Sequence, residues 1–204
     1  MSSRPLEALQ EEEEREAALH AENVRLGFWV WLSSEAVFFA SLIGVYVALE
    51  GRSISGPTPA DVFDLPMTTL ATLDLLVSSL TMVLGVVSMW RKDLRAVKLW
   101  LAVTAVLGLV FLGFQASEYS SFMRDGLLFN TNVFSASFYT LTGFHGAHVA
   151  FGVAWIVGLL ISAFRGHLRP EEAHKLEVAG LYWHFVDVVW IVIFTVVYVL
   201  GTAA

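Results

Sequence analysis

The chain has 204 residues, 56% of them hydrophobic and only 15% charged. With a mean hydropathy of +0.66, it is too apolar for a soluble domain, in which about a quarter of residues are charged. The absence of cysteine excludes disulfides, thiolate metal sites and a cysteine nucleophile, and the net charge of −7 excludes a nucleic-acid partner.

The acids concentrate at the start, in Glu7, Glu11 to Glu14, Glu16 and Glu22. Leu6 to Asn23 is rich in helix formers, with Leu6, Leu9 and Ala17 as a thin apolar stripe. It reads as a solvated acidic helix, or alternatively as a docking segment for a basic partner. The first apolar run is too long for the core of a cleavable secretory signal. Five runs then approach or exceed the roughly 20 residues a membrane-crossing helix needs: Gly27–Leu49, Met67–Trp90, Val97–Ser117, Phe134–Phe164 and Val178–Gly201. The fourth is long enough to require tilt or extension beyond the bilayer. Between the first two, Gly51 to Pro66 is rich in Gly, Pro and Ser and breaks the helix. The expected fold is all-α: an acidic N-terminal segment, residues 1–26, then a polytopic membrane domain of five transmembrane helices, residues 27–204.

Orientation follows from the cations. Arg4, Arg15 and Arg25, then Arg91, Lys92, Arg95 and Lys98, then Arg165, Arg169 and Lys175 share one side, leaving Arg52 and Arg124 opposite. The positive-inside rule places the N-terminus in the cytoplasm and the C-terminus outside.

Ionisable side chains at bilayer depth cost about 2.5–3.5 kcal/mol each even on insertion scales, so they require partners within protein. His184 and Asp187 share one face of the last helix. Counted from the cytoplasmic ends at about 1.5 Å per residue, they lie level with Glu35, which predicts a Glu35–His184 contact. Asp74 and His148 form a second expected layer, with His145 slightly further out and Glu118 near the external edge. Three readings compete. A metal site would use His145 and His148, but bundle di-metal sites need Glu-x-x-His on two helices, and that motif does not occur. A proton or ion pathway would draw on hydroxyls such as Ser33, Ser34, Ser41, Thr72, Ser78, Ser79 and Thr142. A structural role, each contact contributing about 0.6–2 kcal/mol, is preferred for Asp74, Glu118 and His145. Gly143, Gly146, Ala147, Ala150 and Gly152 offer a small-residue packing face. Trp29, Trp31, Trp183 and Trp190 are candidates for lipid or interface positions. No nucleophile with a base, phosphate loop or cofactor fingerprint is present. A free-standing transporter or channel would call for an internal repeat or broken helices, and neither is seen. An independent metalloenzyme is the other rival.

Four stretches carry a resemblance: Leu26-Gly-Phe-Trp-Val-Trp-Leu-Ser-Ser-Glu35-Ala-Val-Phe-Phe, Phe111-Leu-Gly-Phe-Gln115-Ala-Ser-Glu118-Tyr, Phe138-Tyr-Thr-Leu-Thr-Gly-Phe-His145-Gly-Ala-His148-Val-Ala-Phe-Gly and Leu181-Tyr-Trp-His184-Phe-Val-Asp187-Val-Val-Trp190. In order and in length they resemble the signature regions of subunit 3 of haem-copper terminal oxidases, in the bacterial form without the first two helices of the longer version. The loop from Gly56 to Pro66 is similar to both the cytochrome c and the quinol branches. The accessory protein of nitric oxide reductase is a weaker match. The resemblance implies a non-redox subunit of a proton-pumping oxidase in the bacterial cell membrane. Haem and copper would lie in subunits 1 and 2. This chain would pack on subunit 1, bind phospholipid and support proton uptake and the catalytic centre during turnover. It also implies that Glu35 matches the family's buried carboxyl, and that Glu118, His145, His148, His184 and Asp187 match its other embedded polar positions.

Overall fold

The computed structural model describes residues 4–52, 56, 63–169 and 172–201, and the regular structure among them is entirely helical. The helices are α1 (Arg4–Leu49), α2 (Leu65–Trp90), α3 (Leu94–Arg124), α4 (Val133–Phe164) and α5 (Ala173–Ile193), the last continuing as a π-helix, Phe194–Leu200. Each contains a stretch long and apolar enough to cross a membrane, in α1 from Arg25 to Leu49. The predicted spans are therefore recovered, with α5 beginning earlier, at Ala173, and α3 ending later. Helix α3 runs to Arg124, past the predicted end at Ser117. The polar run Gln115-Ala-Ser-Glu118-Tyr119 looks like an exit from the membrane, yet Phe122 beyond it is buried and keeps the helix packed. The Gly51–Pro66 connection and the stripe of Leu6, Leu9 and Ala17 fall largely outside the described residues and side chains.

The chain divides into two compact units, Met1–Val37 and Phe38–Ala204, although α1 is unbroken through both that division and the predicted boundary at residue 26. Within the first unit, Glu12, Arg15 and Glu22 are exposed, as a solvated acidic helix requires. Trp29 and Trp31 are also exposed, and Phe28 packs against Trp31 with ring centroids 5.4 Å apart.

In the second unit, α2, α3, α4 and α5 form a closed ring in which each packs on the next and α5 returns to α2. Helices α2 and α4 consequently face one another across the ring. The α1 segment from Phe38 onwards lies on α4, through Phe38 on Phe144 at 5.1 Å and Tyr46 on Phe134 at 6.1 Å.

Short polar punctuation sets the helix ends. Asp64 caps α2 through Met67 N, and Asp93 caps α3 through Arg95 N and Ala96 N. Asn132 and Ser135 form a reciprocal capping box on α4. Each such cap contributes about 1 kcal/mol. Helices α3 and α4 stop where Gly126 (φ 84°) and Gly166 (φ 73°) turn left-handed. There Leu127 N bonds Phe122 O and His167 N bonds Ser162 O, closing the last turn. Between α2 and α3 the same left-handed position is held by Lys92 (φ 59°). Ahead of α5, the Lys175 ammonium bonds Glu172 and holds that carboxyl below the usual range.

The core centres on α5. Trp183 and Trp190, expected at lipid or subunit interfaces, are only 1% and 2% exposed. The Trp183 indole points into the ring because glycines make room for it. A Cβ on Gly108 of α3 would stand 2.7 Å from Trp183 Cη2, and one on Gly152 of α4 would stand 2.8 Å from Cε3. Trp183 is thus clasped between two helices. The expected small-residue face of α4 is split as well. Gly146 sits under Gln115 and Gly152 under Trp183, whereas Ala147 and Ala150 are exposed.

Candidate functional site: interhelical polar belts

Hydroxyls, indoles and ring nitrogens join α2 to α5 in three rungs. Trp190 Nε1 donates to Thr72 Oγ1 and Trp183 Nε1 donates to Ser78 Oγ, both at 3.0 Å. These hydroxyls pass their own protons to the helix backbone, Thr72 to Thr68 O and Ser78 to Leu75 O. The third rung pairs Ser79 Oγ with His184 Nδ1 at 2.6 Å. Asp187, 5% exposed, has its carboxyl beside the same Ser79 hydroxyl, while its Oδ1 is buried without a hydrogen bond. Ser79 therefore joins His184 and Asp187 in one cluster. Their shared helix face, read from the i, i+3 spacing, meets α2. The predicted partner of His184, Glu35, belongs to the first unit; within the second unit the Nδ1 position is taken by Ser79. Replacing Ser79 with alanine strands a ring nitrogen and should cost about 1–3 kcal/mol. The readout is the thermal midpoint of the purified assembly, with Ser79→Thr, which keeps the hydroxyl, near the unsubstituted value.

The second predicted layer does not form. Asp74 lies on α2 and His148 on α4, which stand across the ring from one another. His148 donates from Nδ1 to Phe144 O of its own helix at 2.7 Å and packs its ring on Phe39 at 4.9 Å. Asp74 Oδ2 is buried and has no hydrogen-bond partner. Equal depth along two helices does not make them neighbours.

His145 is fully buried. Its Nε2–H donates to Val186 O at 3.2 Å, and its ring lies 4.8 Å from Trp190 and 5.8 Å from Phe111. The i, i+3 histidines of α4 therefore serve different surroundings. Among the described residues, no group of three His, Asp or Glu side chains converges as a metal would require.

Near the end of α3, Glu118 ties three helical segments together. Oε1 accepts from Thr68 Oγ1 of α2 at 2.9 Å, and Oε2 accepts from Tyr198 OH of the π-helix at 2.8 Å. One turn away, Gln115 Nε2 donates to Thr142 O at 2.8 Å, and Tyr119 OH meets Thr142 Oγ1 at 2.7 Å, joining α3 to α4. Sequence reasoning missed Gln115, Tyr119 and Tyr198. Their only signal is a hydrogen-bonding group in an apolar run, which does not identify a partner.

Several of the hydroxyls considered for a pathway bond within their own helices. Ser33 and Ser34 bond Trp29 O and Trp31 O of their own helix, and Thr142 bonds Phe138 O.

Fold and site together define an integral membrane helix bundle whose embedded polar groups fasten one helix to the next. The sequence pattern of the family described as cytochrome c oxidase subunit III matches residues 13–202. A cytochrome c oxidase subunit 3 of Bacillus sp. (strain PS3) is 45% identical over 92% of this chain and 91% of its own length. One from Alkalihalophilus pseudofirmus is 45% identical over 91% and 90%, and a quinol oxidase subunit 3 of Bacillus spizizenii is 38% identical over 86% of each. The chain belongs to the cytochrome c oxidase subunit III family.

Proposed function

We propose that this chain is subunit 3 of a terminal oxidase that reduces dioxygen to water, with cytochrome c as the electron donor. The family match over nearly the whole chain carries this reading, and the higher identity to cytochrome c oxidase relatives than to quinol oxidase relatives favours the donor. The quinol branch is the second reading, supported by relatives 38% identical. In this proposal the chain is a non-redox subunit in a bacterial cell membrane. Haem and copper reside in subunits 1 and 2, the bundle packs on subunit 1, and phospholipid binds between its helices. The N-terminus faces the cytoplasm, which the shared side of the basic turns at Arg91 to Arg95 and Arg165 to Arg169 supports.

The roles of the polar residues follow from their bonds. Glu118, His145, His184 and Asp187 fix helix order, and Glu35 is the carboxyl proposed to support proton uptake in the neighbouring subunit. Trp29 and Trp31 are the proposed lipid-facing tryptophans. The test is purification of the tagged chain from its native membrane, followed by haem spectroscopy and oxygen consumption with reduced cytochrome c or quinol. A haem oxidase that turns over with cytochrome c is expected; turnover with quinol alone selects the second reading. In that complex, Glu35→Ala or Asp187→Ala should leave haem absorption intact while activity decays during turnover. Loss of a haem or copper spectrum from the fully assembled variant would refute the non-redox role.

A further inference from the structure

Charge is divided unevenly at the end of the bundle where α2 and α4 finish and α3 and α5 begin. On the α2–α5 side the polar groups answer one another: Trp90 Nε1 donates to Glu177, and the Lys175 ammonium bonds Glu172. On the α3–α4 side they do not. Arg95 and Lys98 stand three residues apart in the first turns of α3 and so share one of its faces, and Arg165 closes α4. Lys98 Nζ lies 5.1 Å from the ring centroid of Phe164, the last residue of α4, so this face of α3 meets the end of α4. Among the described residues, none of these three cations has a carboxylate partner. Asp93, the acid next to them in sequence, directs Oδ1 to the N–H groups of Arg95 and Ala96. Arg95 and Lys98 also stand at the positive end of the α3 dipole, where added cations are unfavourable. An anion held among the three relieves that repulsion.

The surroundings select the kind of anion. Leu99 and Val106 on α3 and Ile161 and Phe164 on α4 are all exposed. Exposed apolar side chains occur on every span, and the unanswered cations at the head of these four distinguish this place. A free phosphate would leave the apolar side chains uncovered, whereas a lipid places phosphate on the cations and acyl chains below them. Basic groups at a membrane surface attract anionic headgroups in this way. We infer that Arg95, Lys98 and Arg165 form a binding site for the phosphate of an anionic phospholipid, whose acyl chains lie against Leu99, Ile161 and Phe164. The inference rests on the phospholipid part of the reading above and adds the headgroup charge and the residues that hold it.

The experiment places the whole complex in phosphatidylcholine nanodiscs with a trace of phosphatidylglycerol carrying a diazirine near the head of one acyl chain. Adducts are located by peptide mass spectrometry and are expected within residues 97–106 and 157–165. Labelling there should fall about fivefold with Lys98→Gln and persist with Lys98→Arg. Lys175→Gln should leave it unchanged, since that cation already has Glu172. Unlabelled phosphatidylglycerol should compete with the probe on the unsubstituted complex, and inorganic phosphate should not. Equal labelling by a diazirine-bearing phosphatidylcholine would overturn the inference, as would undiminished labelling of Lys98→Gln, and both leave a phospholipid-binding subunit in place. Competition by inorganic phosphate would overturn it in favour of a soluble anion. Absence of adducts on this chain from either lipid would overturn the phospholipid reading itself.

Discussion

Gly152→Val is expected to be among the most disruptive single substitutions in the bundle. Exchanging a helical glycine for a better helix former gains up to about 1 kcal/mol from backbone propensity. Against that, a Cβ at this position would approach Trp183 Cε3 and Cζ3 to 2.8 Å and Tyr182 Cε1 to 3.1 Å. Overpacking of this kind costs about 1–3 kcal/mol. The indole has nowhere to retreat, since Gly108 is pressed against its far edge and Ser78 holds its nitrogen. Overpacking therefore wins, and the thermal midpoint of the purified complex should fall. Gly158→Ala on the same helix meets no atom within 4 Å and should be neutral or slightly stabilising. Trp183→Leu in the Gly152→Val background should restore part of the loss by making room. If Gly152→Val and Gly158→Ala gave equal midpoints, the clasped indole would not be the centre of this fold.

Glu118→Leu is the second large effect. Thr68 has an alternative acceptor in Asp64 O at 2.9 Å, so losing the carboxylate inconveniences it little. Tyr198 is completely buried, and its hydroxyl loses the acceptor it has in Oε2. Removing the acceptor of a buried hydroxyl costs about 1–3 kcal/mol, and the π-helical end of α5 loses its tie to α3. The expected result is a lower midpoint and faster proteolysis near Phe194–Leu200. Glu118→Gln should lose far less because an acceptor oxygen remains. Tyr198→Phe combined with Glu118→Leu should be more stable than Glu118→Leu alone, since the hydroxyl that lost its acceptor is then removed. Additive losses in that double-mutant cycle would show that the Glu118–Tyr198 bond carries no weight.

Five apolar runs, the breaks between them and the order of the signature stretches were all legible without coordinates. Hydrophobic length is a local property, because a bilayer accepts only helices that satisfy their own backbone. The missed end of α3 is instructive. The apolar run ends at Ser117, whereas Glu118 and Tyr119 find partners on neighbouring helices and the helix continues to Arg124. The π-helix at Phe194–Leu200 had no signal in the residues at all.

Pairing was the harder question. The i, i+3 spacing of His184 and Asp187 gave them a common face, and the structure supplies Ser79 as what that face meets. Depth alone suggested Asp74 with His148, and the ring order of the helices separates them. Tryptophans in apolar runs suggested a membrane belt, yet Trp183 turns inward between Gly108 of α3 and Gly152 of α4 onto Ser78 of α2, and Trp190 turns inward onto Thr72 of α2. The sequence by itself determined which segments cross the membrane, where they stop and which groups need partners, since those follow from hydropathy and hydrogen-bonding capacity. Only the tertiary structure decided which helix provides each partner. That choice depends on the rotation and neighbour order of the helices, which are fixed by close contacts between residues far apart in the chain.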